Sequence, residues 1–113
     1  MNKIKVNNEI RITSDNVNYI LLTIKLKESD LRNIVEKYRD KVDWCWISAR
    51  QNLSEDFIRE FQDKVDWGEI SSNQKLSEEF IREFCDKVDW VWISSNQNLS
   101  VEFKIEMKKY LDK

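Results

Sequence analysis

The chain has 113 residues, of which 41% are hydrophobic and 35% are charged, and its net charge is −2. This length suits one compact domain or a short repeat array. The sequence contains two cysteines and no histidine, which excludes Ser–His and Cys–His catalysis and leaves too few soft ligands for a metal site.

The first 28 residues alternate between apolar and polar side chains, which is typical of β-strands. The alternating apolar residues form two runs: Ile4, Val6, Ile10 and Ile12, then Ile20, Leu22, Ile24 and Leu26. A turn cluster at 13–16 separates the runs, and Asn7-Asn8 is a second candidate turn. The pattern predicts strands at about 9–13 and 18–26, with 3–6 as a candidate third strand, so we define residues 1–28 as an N-terminal β-hairpin cap.

The remainder of the chain, residues 29–113, carries an internal repeat. Residues 53–75 and 76–98 are identical at 18 of 23 aligned positions. A short fixed period indicates one supersecondary unit that is copied and stacked. The same period identifies a diverged copy at 30–52 and a truncated unit at 99–113, which is typical of a terminal capping helix.

Each full unit is predicted to contain two helices, which we call A and B. In residues 76–98, Ser77 and Asp89 are good N-cap residues, and apolar residues recur between them at helical spacing. The pattern predicts helix A at about 77–87 and helix B at about 90–96, and it places helix A of the first unit at 30–42. The predicted fold is α+β and mainly α: a β-hairpin that caps a short α-solenoid of seven helices, built from 23-residue helix–turn–helix repeats.

One tryptophan recurs at the start of helix B in every full unit. Recurrence at the repeat period favours a role in core packing, although a row of stacked aromatic rings could also bind bases or other ligands. The predicted structural core comprises Trp44, Trp67, Trp90, Ile47, Ile70, Ile93, Phe57, Phe61, Phe80 and Phe84.

A second tryptophan position varies between units, with Trp46, Glu69 and Trp92 in successive copies. A core position does not usually accept a glutamate, so these side chains and the neighbouring Val91 are expected to be partly exposed. Exposed tryptophan is frequent at the centre of protein interfaces. The alternative is that Trp46 lies under the hairpin and Trp92 under the terminal helix.

Acidic residues are concentrated in residues 53–98, which carry a net charge of −6. Glu60, Asp63, Glu83 and Asp86 recur at the repeat period and are candidates for a negative ridge. Such a ridge disfavours direct binding of nucleic acid and favours a protein partner with a basic surface. The alternative is a solvated face that only keeps the array soluble.

The pattern DKVDWxxISxxQxLSEEFIREF resembles short helical repeats of uncharacterised proteins from large DNA viruses, phages and some bacteria. It is carried by residues 63–67, Ile70, Ser71, Gln74 and 76–84, and with its other copies it covers about residues 30–111. The resemblance implies a helical repeat fold and brings no catalytic residue.

These observations predict a non-enzymatic protein-interaction module that needs no cofactor or metal. The resemblance and the acidic charge together suggest a small viral or phage-type effector that inhibits a host protein, for example a nucleic-acid-handling defence enzyme such as a CRISPR nuclease. Two alternatives remain: a self-assembling scaffold, as a homodimer through the hairpin edge, and a single-stranded nucleic-acid binder that uses the aromatic row.

No apolar run approaches the roughly 20 residues that a membrane-spanning helix requires. The first ten residues, MNKIKVNNEI, also lack the apolar segment of a signal peptide. We therefore expect a cytoplasmic protein, of the source cell or of an infected host, without membrane contact.

Overall fold

The structure is a computed structural model that describes residues 4–6 and 10–111. Within these residues the chain is mainly helical, with two short strands followed by nine helices. Strands β1 (Ile4–Val6) and β2 (Ile10–Ile12) pair in antiparallel fashion, with Lys5 opposite Arg11. The predicted turn at Asn7-Asn8 lies outside the described residues.

The helices alternate between the two types that the repeat predicts. The A helices are α2 (Glu28–Lys37), α4 (Glu55–Glu60), α6 (Glu78–Glu83) and α8 (Val101–Glu106). The B helices are α1 (Val17–Thr23), α3 (Trp44–Arg50), α5 (Trp67–Asn73) and α7 (Trp90–Asn96). A short helix α9 (Lys108–Leu111) follows α8.

The predicted helix B at 90–96 is confirmed, whereas the predicted A helices extend too far. Helix α6 ends at Glu83, because the amides of Lys87 and Val88 both turn back to the carbonyl of Phe84. Side-chain caps fix where the helices begin: the Ser77 Oγ accepts from the Phe80 amide, and the Asp89 carboxylate accepts from the Val91 amide.

The predicted strand at 18–26 is wrong, because residues 17–23 form α1. Val17, Ile20 and Leu21 are buried at helical spacing, and α1 packs on α3. The alternation of apolar residues spans the end of α1 and the extended segment that follows it. The predicted total of seven helices is also too low for the described residues, since α1 adds one and Met107 separates α8 from α9.

The B helices pack in a row, with α1 on α3, α3 on α5 and α5 on α7. The molecule is accordingly elongated, with principal extents of 53 × 23 × 19 Å. Its buried apolar residues form two clusters, one from Ile12 to Phe57 and the other from Ile58 to Met107. The core therefore runs along the row of helices.

A glutamine joins each of the B helices α3, α5 and α7 to the B helix before it. The Gln74 Nε2 atom donates to the carbonyls of Ser48 and Gln51, at 2.8 and 2.7 Å, and its Oε1 accepts from the Leu53 amide at 3.2 Å. Gln51 and Gln97 make the equivalent three bonds in their own units. The otherwise unpaired carbonyls at the end of each helix are satisfied in this way.

Arginine side chains connect the A helices. Arg59 pairs with Glu83 of the next unit, 24 residues further along the chain. Arg32 pairs with Glu60, which is 28 residues away. The larger separation arises because α2 has ten residues where α4 and α6 have six, so the first unit contains one extra helical turn.

Candidate functional site

The recurring tryptophans pack against the A helix of the following unit. The Trp67 ring lies 5.1 Å from the Phe84 ring between centroids and 6.2 Å from Phe80. Its Nε1 donates to the Gln62 carbonyl at 3.0 Å. Trp44 and Trp90 hold the equivalent places in their units. All ten residues of the predicted structural core lie in the two hydrophobic clusters or pack against them.

The varying tryptophan position is the third residue of each B helix. Trp92 is 46% exposed and the adjacent Val91 is 72% exposed. Trp46 is half-buried and packs against the first hydrophobic cluster. Glu69 is half-buried and accepts a hydrogen bond from the Asn73 side chain at 2.8 Å. The side chains at this position are therefore partly or largely exposed, and Trp46 and Glu69 also contact neighbouring residues.

Sequence reasoning missed a fourth member of this set. Tyr19 is the third residue of α1 and is 68% exposed. It precedes Trp46 by 27 residues instead of 23, because the extra turn of α2 lies between them. An alignment that allowed one added turn would have found it. We call the set Tyr19, Trp46, Glu69 and Trp92 the B-face row.

Neighbouring members of the B-face row stand on helices that pack directly against each other. Packed helices have axes about 8–10 Å apart. The row therefore places three aromatic side chains and one carboxylate at the same position of four successively packed helices.

The four acidic candidates lie elsewhere, at the ends of the A helices and in the turns after them. Glu60 is bonded to Arg32, and Glu83 is bonded to Arg59, so these two carboxylates are already neutralised within the molecule. Asp63 and Asp86 are exposed. Within the described residues neither aspartate makes an ion pair. The predicted partner set therefore divides into four residues of the B helices and a separate acidic surface, and the B-helix residues are Trp46, Glu69, Val91 and Trp92.

Arginine side chains also cover the aromatic core between A helices. The Arg59 guanidinium lies 5.3 Å from the centre of the Phe80 ring, and Arg82 lies at the same distance from Phe103. The side-chain hydrogen bond from Arg82 lowers the pKa of Glu106. The charged groups of Arg59 and Arg82 are therefore already paired with the next unit.

Cys45 is a half-buried free thiol in α3. Partial burial, followed by the nearby Glu69 and Asp66 carboxylates, raises the pKa of the Cys45 thiol. A raised pKa reduces the thiolate form that attacks substrates. Among the described residues, no group of three or more acidic or cysteine side chains is placed to hold a metal ion. None of the helices in this part of the chain is both long and apolar enough to cross a membrane.

No family model, curated protein or solved structure matches the chain. The resemblance to viral and phage repeats accordingly stays a prediction.

Proposed function

We propose that the chain is a non-enzymatic protein-interaction module, built as a short α-solenoid with an N-terminal β-hairpin cap, and that the B-face row contacts the partner. The observation that carries this proposal is the exposure of Tyr19, Val91 and Trp92 on helices whose opposite faces are buried. Large exposed apolar side chains grouped on one face are typical of binding surfaces.

Rigid support makes this surface suitable for binding. The B helices are held to one another by the buried glutamine bonds and by direct packing, so the spacing of the row is fixed before a partner arrives. Aromatic side chains on a preorganised scaffold lose little conformational entropy on binding.

The charge distribution favours a partner with a basic surface. Glu69 lies within the row, Asp63 and Asp86 are exposed, and residues 53–98 carry a net charge of −6. A narrower form of this function is an effector that blocks a host protein with a basic nucleic-acid groove, such as a CRISPR nuclease. This form is supported by the acidic charge and by the resemblance of the repeat to viral and phage sequences, and it requires binding that weakens as salt increases.

The direct test is affinity capture from lysate of the natural or host cell, with the captured proteins identified by mass spectrometry. We expect one protein to be retained by the wild type and lost by the double variant Tyr19→Ala, Trp92→Ala. Truncation of a hot-spot aromatic residue weakens an interface by about 2 kcal/mol or more, which is about thirtyfold in affinity. Both substituted side chains are exposed, so the fold is expected to survive.

A matched control removes apolar side chains of similar exposure from another surface. Val101→Ala, Ile105→Ala changes two exposed residues of α8 and should retain the partner. Equal capture by wild type and both double variants would exclude the B-face row. Loss only on Asp63→Asn, Asp86→Asn would assign binding to the acidic surface instead.

Self-assembly is the second candidate function, because the described sheet has only two strands and each therefore has an outer edge. Exposed strand edges pair readily with another chain. Light scattering tests this candidate: a dimer that is lost on Ile10→Pro would support it, whereas a monomer at every concentration would exclude it.

A further inference from the structure

A groove of about 560 Å³ lies between α2 and the end of α4. It occurs where the first unit departs from the 23-residue repeat. Asn33, Val35 and Glu36 line one wall, and they belong to the extra turn of α2. The groove is thus a consequence of the insertion in the first unit.

Aromatic rings form the floor of this groove. Trp44 and Phe61 line it, with their ring centroids 5.3 Å apart. The indole nitrogens of Trp67 and Trp90 donate to the carbonyls of Gln62 and Cys85, at 3.0 and 2.9 Å. In contrast, the Trp44 Nε1 has no hydrogen-bond acceptor anywhere in the described part of the chain. No buried side-chain nitrogen of the described residues lacks a partner, so the Trp44 N–H is open to solvent and is available to a ligand beside the aromatic surface.

The rim of the groove carries charges of both signs. Arg39 and Lys64 supply two cations, while Glu36 and Asp40 supply two carboxylates. Within residues 10–111, none of these four side chains makes an ion pair or a hydrogen bond. Arg39 occupies the repeat position that holds Gln62 in the next unit, so its charge is particular to the first unit.

We propose that this groove binds a small aromatic zwitterion, a molecule that carries an aromatic ring, a carboxylate and an ammonium group. The ring would lie on Trp44 and Phe61, while the carboxylate accepts from the Trp44 Nε1 and pairs with Arg39. The ammonium group would pair with Glu36 or Asp40. The volume is within the 300–1,000 Å³ range of small-molecule sites, and a ligand without net charge matches a rim whose four free charges cancel.

The groove is separate from the B-face row, and it would bind such a ligand whether or not that row contacts a protein. Its occupancy can be read from the indole N–H signal of Trp44 in a ¹H–¹⁵N spectrum of the full chain, assigned by its absence in Trp44→Phe. The probes are phenylalanine, phenylacetate and phenethylamine, which share the ring and differ in their charged groups.

Phenylalanine is expected to shift the Trp44 signal saturably, with a dissociation constant of about 1 mM, and to leave the Trp67 and Trp90 signals in place. Phenylacetate and phenethylamine each lack one charged contact and should bind about tenfold more weakly. Absence of a saturable shift with any of the three probes would overturn the proposal. Equal affinity for phenylalanine and phenylacetate would also overturn it, because the groove would then recognise only an anion.

Exposed variants provide the second test without disturbing the core. Arg39→Gln introduces the residue found in the next unit, and the double variant Glu36→Gln, Asp40→Asn removes both carboxylates. Each is expected to weaken phenylalanine binding about tenfold. Lys87→Gln, an exposed change outside the groove, is the matched control and should have no effect. Unchanged affinity in both rim variants would contradict the assigned charge contacts.

Discussion

At the scale of single residues, the glutamine amide is the most important polar group of the repeat. Gln51, Gln74 and Gln97 each donate twice and accept once, and each bonds backbone atoms that lie 21–30 residues away. A buried backbone group without a partner destabilises the folded state. The glutamine therefore holds the end of one helix and the start of the next connection in place.

Replacing Gln74 with alanine should lower the free energy of unfolding by about 3 kcal/mol, because two carbonyls and one amide lose their partner in a buried setting. The measurement is urea denaturation followed by circular dichroism. Gln97→Ala is the control: that residue is only partly buried and one of its bonds is 3.4 Å long, so we expect a loss of about 1 kcal/mol. Equal losses of unfolding free energy in the two variants would contradict the larger role of Gln74.

At the scale of elements, α1 is a B helix that follows strands β1 and β2, and the residues described before it contain no A helix. The Asp43 amide donates to Asn18 Oδ1 of α1 at 2.7 Å, as the Asp66 amide donates to Ser48 Oγ of α3 at 2.9 Å. Gln51 bonds the carbonyls of Leu21 and Ile24 at the end of α1. The row of B helices thus begins before the first recognisable repeat.

The helical conformation of α1 predicts which of its two leucines contributes more to the stability of the fold. Leu21 is fully buried, so Leu21→Ala should lower the free energy of unfolding by about 3 kcal/mol. Leu22 is half-buried, so Leu22→Ala should lower the free energy of unfolding by a smaller amount. A strand with Ile20, Leu22 and Ile24 facing the core would reverse this order. Urea denaturation of the two matched variants decides between the helix and the strand.

The 23-residue period predicted a recurring helical pattern from the amino-acid sequence alone, and of the residues predicted for the core, Phe80 is buried and Trp67 packs against the second hydrophobic cluster. The sequence was insufficient for α1, since a seven-residue segment rich in β-branched residues fits helical and strand spacing equally well. Tyr19 was missed for the same reason. The groove beside Trp44 was not foreseen either, because it depends on how far α2 extends beyond the neighbouring A helix.

At the scale of the whole molecule, the recurring contacts join neighbouring units. The B helices pack each on the next, and the arginine pairs Arg59–Glu83 and Arg82–Glu106 each span 24 residues. Repeat proteins of this kind have stabilities that sum over units and the joints between neighbours. The length of the molecule therefore follows from the number of units.

Insertion of a second copy of residues 53–75 after Lys75 should give a folded chain whose long dimension exceeds the present 53 Å by about 10 Å. Each new joint would repeat contacts that already exist, so the free energy of unfolding should not fall. Small-angle X-ray scattering measures the length. A scrambled insert of the same composition serves as control and should lower the helicity. A loss of helicity with the duplicated unit as well would contradict the idea that stability comes from contacts between neighbouring units.

The near identity of the two central units has a genetic consequence. Each unit is a whole number of codons, so a duplication or deletion of the coding segment for one unit, such as residues 53–75, keeps the reading frame. A slip by one period would add or delete a whole unit in frame, and the product would still join its units through the same glutamine, arginine and tryptophan contacts. The reach of the B-face row can thus change through copy number in a single event, whereas point substitutions would alter only one position of the row at a time.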